Sequence, residues 1–337
     1  MVAKVQDAHA NAESPAMKAI VQHRYGSSRV LALRDLEMPV IGDDGVLVQV
    51  RASSVNAMDW HLIRGRPYLA RLMTGVRAPK RAVPGSDVAG VVAAIGTGVT
   101  ELRPGDEVFG ARAGAFAEYV AGRERNFVVK PANLSFEQAA AIPIAAITAL
   151  QALRDKGQVQ AGQHVLILGA GGGVGTFAVQ LAKAYGAEVT AATRTSNLDM
   201  VRSIGADEVI DYTRENATRS GRQYDLILDV GGYESIGDLS RTVAPGGTVV
   251  LVGAGNANSL AIVLQLLAVA LRSRLRGQRM QSLLASVTRA DLLVLGELAA
   301  AGKIAPVIDR TYPLREAAEA VRYVETGQVR GKVVITV

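Results

Sequence analysis

The chain has 337 residues, a formal charge of +6, 49% hydrophobic residues and no cysteine. That length suits two domains of ordinary size, and the missing cysteines exclude disulfides and thiolate metal centres. Aromatic residues are only 4% of the chain and do not interleave with the basic ones, so no nucleic-acid partner is expected.

Residues 1–16 are polar and read as a disordered leader. Met17 to Val21 and Val46 to Val55 read as strands, the second with alternating valines at 46, 48 and 50. Short strands and Gly/Pro turns continue through Val88 to Ile95 and Phe116 to Val120, so residues 17–131 are expected to form an all-β barrel. Within it lies a basic run, Arg64, Arg66, Arg71, Arg77, Lys80 and Arg81. It reads either as solvated surface or as a funnel for an anionic cofactor.

Ser135-Phe136-Glu137-Gln138 is a capping-box pattern. It is expected to open a helix running to about Leu153, bent at Pro143. At Val165 to Leu168 the character of the chain changes, with an apolar run suited to a buried parallel strand. Glycines at 169, 171, 172, 173 and 175 follow, then a helix with Phe177, Val179, Leu181 and Ala182 on its apolar face, then a strand over Glu188–Thr193. In register, the turn reads Ala170-x-Gly172-x-x-Gly175. A tight turn that brings backbone against a pyrophosphate excludes side chains larger than a methyl, and the helix N-terminus favours phosphate. Gly172, Gly173, Val174 and Gly175, with Ala170, are therefore candidate dinucleotide ligands.

The end of the second strand reads Thr193-Arg194-Thr195-Ser196-Asn197. An NAD site usually carries Asp or Glu there, for the ribose 2′-hydroxyl. A guanidinium and hydroxyls suit a 2′-phosphate instead. Thr193, Arg194 and Ser196 thus point to NADPH, with a solvated surface arginine as the alternative for Arg194. Further strands at 208–210, 225–230 and 248–252, separated by helices, complete a doubly wound parallel sheet over residues 132–285. The apolar stretch Leu260 to Leu271 is too short to span a bilayer; it suits a subunit interface, a pocket wall or a membrane contact. A helix over 291–301 and a strand over 332–337 are expected to return residues 286–337 to the first domain. A soluble, cytoplasmic protein is expected.

The order of motifs resembles the medium-chain dehydrogenase/reductase superfamily over residues 17–337, and within it the zinc-independent quinone oxidoreductase (zeta-crystallin-like) branch. The resemblance rests on Val55-Asn56-Ala57-Met58-Asp59, Arg64-Gly65, Pro84 to Gly90, Gly105 to Val108, the glycine turn, Gly205-Ala206-Asp207, Asp211-Tyr212 and Gly331-Lys332-Val333-Val334. It implies a GroES-like barrel joined to a Rossmann domain, with the nicotinamide in the cleft between them, and a homodimer formed through a strand edge. The zinc-dependent members carry cysteine where Asn56 stands and Gly-His-Glu where Gly85-Ser86-Asp87 stands, so no metal is expected here.

Without a Lewis acid, hydride transfer favours acceptors that are already electrophilic, namely quinones and α,β-unsaturated carbonyls. Asn56 reads as an amide donor to the acceptor or as a turn former. Asp59, Arg64 and Asp87 read as a charged network or a structural ion pair, and Tyr68 as a phenol donor or a packing residue. The resemblance places Tyr212 near the adenosine phosphate, Gly253 and Ala254 behind the nicotinamide, and Lys332 across the cleft toward the cofactor. Two other readings stay open: a zinc-free reductase of enoyl thioesters or biosynthetic intermediates, and a non-catalytic NADPH-binding sensor or RNA-associated protein.

Overall fold

In the computed structural model, residues 16–232, 234–253 and 278–337 are described. The expected leader up to residue 15, Ala254 and the apolar stretch Leu260 to Leu271 lie outside them. The first part of the chain supplies β1 (Ala16–Val21), β2 (Ala32–Glu37), β3 (Gly45–Val55), β4 (Asp87–Ile95), β5 (Glu107–Ala111), β6 (Tyr119–Arg123) and β7 (Phe127–Val129). Two helices, α1 (Ala57–Arg64) and α2 (Arg71–Thr74), fall between β3 and β4. Val46, Val48 and Val50 of β3 are buried while Arg51 is exposed, which is the period-two pattern of a strand with one face on a core. The expected strand at Phe116–Val120 begins later, at Tyr119. Ala117 instead makes an isolated bridge to Ala19.

Next come α3 (Phe136–Ala140) and α4 (Pro143–Gln151). The capping box is formed: Gln138 N donates to Ser135 Oγ at 3.2 Å, and Ser135 N donates to Gln138 Oε1 at 2.9 Å. Pro143 does not bend one long helix. It opens a second, at a position where its missing N–H costs no hydrogen bond.

The remainder alternates strand and helix: β8 (His164–Leu168), α5 (Gly173–Ala184), β9 (Glu188–Thr193), α6 (Leu198–Ser203), β10 (Glu208–Asp211), β11 (Tyr224–Val230), α7 (Ile236–Thr242), β12 (Val243–Val252), β13 (Arg279–Leu283), α8 (Arg289–Ala300), β14 (Ile308–Pro313), α9 (Ala317–Glu325) and β15 (Lys332–Thr336). Six of these strands form a parallel sheet in the order β10-β9-β8-β11-β12-β13. This is the doubly wound order, whose switch point lies between β8 and β11. Phe177, Val179, Leu181 and Ala182 of α5 are fully buried against it, each large side chain contributing about 1.5–3 kcal/mol. The sixth strand, β13, lies in a stretch whose sequence shows no strand period. Only Met280 of its residues is buried, as befits an edge.

The other main sheet runs β14-β15-β3-β4-β5-β7, with β6 paired to β3. The last strand, β15, is antiparallel to β3, with Val333 opposite Val55. The chain end therefore lies against the residue that precedes Asn56. This register, together with a parallel bridge between Gly172 and Gly331, builds the site.

Candidate active site

Asn56 ends β3 and precedes α1, and its own N–H donates to the Asp59 carboxylate at 2.7 Å. Asp87 begins β4, fully buried, and its carboxylate collects four donors. Ser54 Oγ, Asn56 Nδ2 and Lys332 Nζ approach Oδ2 at 2.5, 2.7 and 3.3 Å, and Ile144 N reaches Oδ1 at 2.9 Å. Ile144 is the second residue of α4, so Asp87 also satisfies a helix N-terminus. Lys332 Nζ donates to Asn56 Oδ1 at 2.6 Å and lies 3.4 Å from Val55 O.

This web assigns the Asn56 amide. Its oxygen must face the ammonium, which only donates, and its nitrogen must face the carboxylate, which only accepts. The Asn56 side chain also hydrogen-bonds the Asp59 carboxyl, which favours its ionised form. Asn56, Asp59, Asp87 and Lys332 are all buried. Burial pushes the Asp59 carboxyl up to about 7, and the charge of Asp87 adds to the effect, against the opposing N–H of Asn56 and the field of Lys332.

Of the three side chains expected in a charged network, the structure brings two together. Asp59 and Asp87 share the cluster, but Arg64 does not join it. Its guanidinium pairs with Glu325 and ties the end of α1 to α9. The cation in the cluster is Lys332, which reaches it from the opposite end of the chain. Tyr68 is neither packed nor in the cluster: it is 60% exposed, with the Arg71 guanidinium 4.8 Å from its ring. Ser54 escaped the sequence reading because a strand serine carries no local signal of a buried acceptor 33 residues away.

At the glycine turn the structure shows which positions need glycine. A Cβ on Gly175 would meet Ala170 Cα at 2.7 Å, so strand and helix could not close. A Cβ on Gly173 would meet Lys332 Cδ at 2.9 Å. Beside Gly172, by contrast, a Cβ would meet only Gly169 O among the described residues, at 3.7 Å. The open space lies at the first amides of α5, with Val174 partly buried behind them, and it fits a pyrophosphate. Gly331 N donates to Gly171 O at 2.9 Å, so the turn is stitched to the strand that carries Lys332. The ammonium does not reach across open cleft; the aliphatic stem passes Gly173 and the charge ends at Asn56 and Asp87.

Thr193 is buried, and it would collide with a side chain at Gly171. Arg194 Nη2 donates to Gly327 O at 2.5 Å, Ser196 Oγ bonds Asn197 Oδ1 at 3.2 Å, and Tyr212 is half exposed beside them with its N–H on Thr193 O. Thr193 to Asn197 contain no carboxylate, but the neighbouring strand brings one, opposite Thr193. Asp211, at the end of β10, accepts from Thr195 Oγ1 at 2.6 Å and from Thr213 Oγ1 at 2.7 Å. These hydroxyl bonds hold its carboxyl below the usual range. Gly253 follows β12 with a positive φ of 85°, and a Cβ there would meet nothing within 4 Å among the described residues.

A zinc ion does not fit. The amide oxygen at position 56 is bonded to an ammonium, and the carboxylate at 87 is saturated by donors. Among the described residues no three His, Cys, Asp or Glu side chains converge.

A doubly wound sheet with a glycine turn at its switch point, joined to a second sheet by a buried Lys–Asp cluster, defines a pyridine-nucleotide-dependent oxidoreductase. Residues 42–132 match the alcohol dehydrogenase GroES-like domain family and residues 204–335 the zinc-binding dehydrogenase family. The chain belongs to the medium-chain dehydrogenase/reductase superfamily, in its zinc-independent quinone oxidoreductase branch. It is 35% identical to 2-methylene-furan-3-one reductase of Solanum lycopersicum, over 95% of this chain and 79% of that one. It is 34% identical to the chloroplastic NADPH-dependent alkenal/one oxidoreductase of Arabidopsis thaliana, with the same coverage. The solved quinone oxidoreductase of Coxiella burnetii superposes with a TM-score of 0.84 at 31% identity, covering 96% of this chain and all of that one.

Proposed function

We propose that this chain is a zinc-independent, NADPH-dependent reductase of quinones or α,β-unsaturated carbonyls. The observation that carries the reading is the Lys332–Asn56–Asp87 cluster beside the glycine turn. It sets an ammonium and an amide where zinc-dependent members would hold their metal. When bound, the dinucleotide supplies the hydride. The chain's part is to hold donors toward the oxygen on which negative charge develops. Asn56 offers that oxygen the amide N–H it otherwise gives to the Asp59 carboxyl. Lys332 orients the amide and adds a fixed positive charge, and Asp87 holds both in place. Asp59 fixes the start of α1 through the Asn56 N–H. A quinone or enone spreads the incoming charge onto one oxygen, so hydrogen bonds suffice where a simple ketone would need a stronger Lewis acid.

Residues 17–131 with 286–337 form the acceptor side in this reading, and residues 132–285 the nucleotide side. Ala170, Gly172, Gly173, Val174 and Gly175 hold the pyrophosphate. Thr193, Arg194, Ser196 and Tyr212 surround the adenosine end, where the guanidinium favours a 2′-phosphate and the Asp211 carboxylate is turned to the Thr195 and Thr213 hydroxyls. Among the described residues the outer edge of β13 has no strand partner, which suits pairing with a second copy. Soluble expression in the cytoplasm remains the expectation.

Nicotinamide absorbance followed against a panel of quinones, alkenals, enones and simple ketones, with a chelator present, tests the proposal. Turnover confined to the activated acceptors, faster with NADPH than NADH, is expected. Chelator-sensitive reduction of simple ketones would overturn it.

A further inference from the structure

We propose that the segment from Arg66 to Arg81 docks this protein on an anionic lipid bilayer surface. Between Asp59 and Asp87, both buried, residues 60–86 carry six Lys or Arg residues and no Asp or Glu. Arg64 and Arg71 are engaged with the protein. Arg66, Arg77, Lys80 and Arg81 are exposed, and among the described residues none has a carboxylate partner.

The short helix in this segment is inverted relative to an ordinary surface helix. Its protein-facing side is polar: Arg71 Nε donates to Gly65 O at 2.9 Å, its guanidinium lies 4.4 Å from the Tyr25 ring, and Thr74 Oγ1 shares a 3.0 Å hydrogen bond with Tyr25 Oη. Tyr25 also donates to Gly75 O at 2.6 Å, which clamps the end of the helix. Leu72 and Met73 of the helix are 67% and 81% exposed, and Val76, just past its end, is 65% exposed. A soluble surface gains nothing by holding three large apolar side chains in water on a clamped scaffold.

Exposed apolar side chains in a segment whose cations have no carboxylate partner among the described residues match the two-signal logic of peripheral membrane binding. The cations meet anionic headgroups, and the side chains enter the acyl boundary. A protein partner would need a complementary surface of about 800 Å² per side, far more than three side chains supply.

The full chain is sedimented with vesicles of phosphatidylcholine alone or with about one third phosphatidylglycerol, a composition that gives the surface a negative potential. The expected result is roughly tenfold stronger partition to the anionic vesicles, weakened by salt. Leu72→Ser, Met73→Ser and Val76→Ser together are expected to lower that partition about tenfold without altering the thermal midpoint. Replacing Arg77, Lys80 and Arg81 by alanine should abolish the preference for anionic lipid. Equal binding to both vesicle types, or binding untouched by the triple serine variant, would overturn the proposal. So would loss of self-association in that variant without vesicles, which would make the patch a subunit interface, or polyglutamate binding of equal strength, which would make it a protein-docking site. Partition is read without turnover, so its failure leaves the reductase assignment standing.

Discussion

The ammonium of Lys332 lies 2.6 Å from the side-chain oxygen of Asn56, across 276 positions of sequence. Its backbone neighbour Gly331 is bonded to the glycine turn at Gly171. One residue pair therefore joins the nucleotide loop to the amide at the acceptor side, and the charge that holds the amide comes from the strand that closes the fold.

Lys332→Met should remove the cation while keeping the aliphatic stem. Asp87 would keep its Ser54, Asn56 and Ile144 donors but lose its counter-charge, and breaking a buried pair costs about 3–5 kcal/mol. Denaturant midpoints should show that loss. Lys332→Arg should restore part of the stability without restoring kcat, because a planar guanidinium cannot take the position of Nζ. Full activity in Lys332→Met would remove Lys332 from the site.

The two central glycines of the turn should separate fold from binding. Gly175→Ala drives a Cβ into Ala170, so a thermal shift without cofactor should report destabilisation of about 1–3 kcal/mol. Gly172→Ala meets open space and should leave the thermal midpoint unchanged, yet weaken NADPH binding about tenfold or more by filling the pyrophosphate cradle. Calorimetric titration decides; unchanged affinity in Gly172→Ala would place the phosphate elsewhere.

Arg194→Ala should weaken NADPH by about 1.5–3 kcal/mol, the scale of a charge-assisted hydrogen bond, and leave NADH nearly unaffected. Equal losses for both cofactors would show that Arg194 serves the Gly327 contact alone.

Stability should fall with pH around the Asp59 carboxyl. Its pKa rises on folding from 3.8 to about 7. Between those values the folded chain holds a proton that the unfolded chain has released, so stability declines as pH rises through the window. Asp59→Asn can still accept the Asn56 N–H and has no charge to bury. Its denaturation free energy should be flatter from pH 4 to 7 than that of the wild type. A parallel slope in the variant would mean that another group titrates.

Much of this protein is written in local sequence. The valine alternation of β3, the capping box at Ser135 and the strand–glycine–helix unit at 165–186 are short-range patterns, each enforced by backbone sterics or hydrogen bonding within a few residues. They are enough to expect strands in both halves of the chain and the nucleotide loop; the family is implied by the resemblance in the order of motifs. The edge strand β13 left no such trace, because an edge buries little. Tertiary structure alone decided which cation meets Asp87. Arg64 lies nearer in sequence, but α1 carries its guanidinium to Glu325, while the register of β15 on β3 delivers Lys332. It also brought Asp211 to the end of β9, since neighbouring parallel strands align residues that the chain separates by a helix. Short-range patterns specify elements; which charges share a buried site depends on strand register, a property of the assembled sheets.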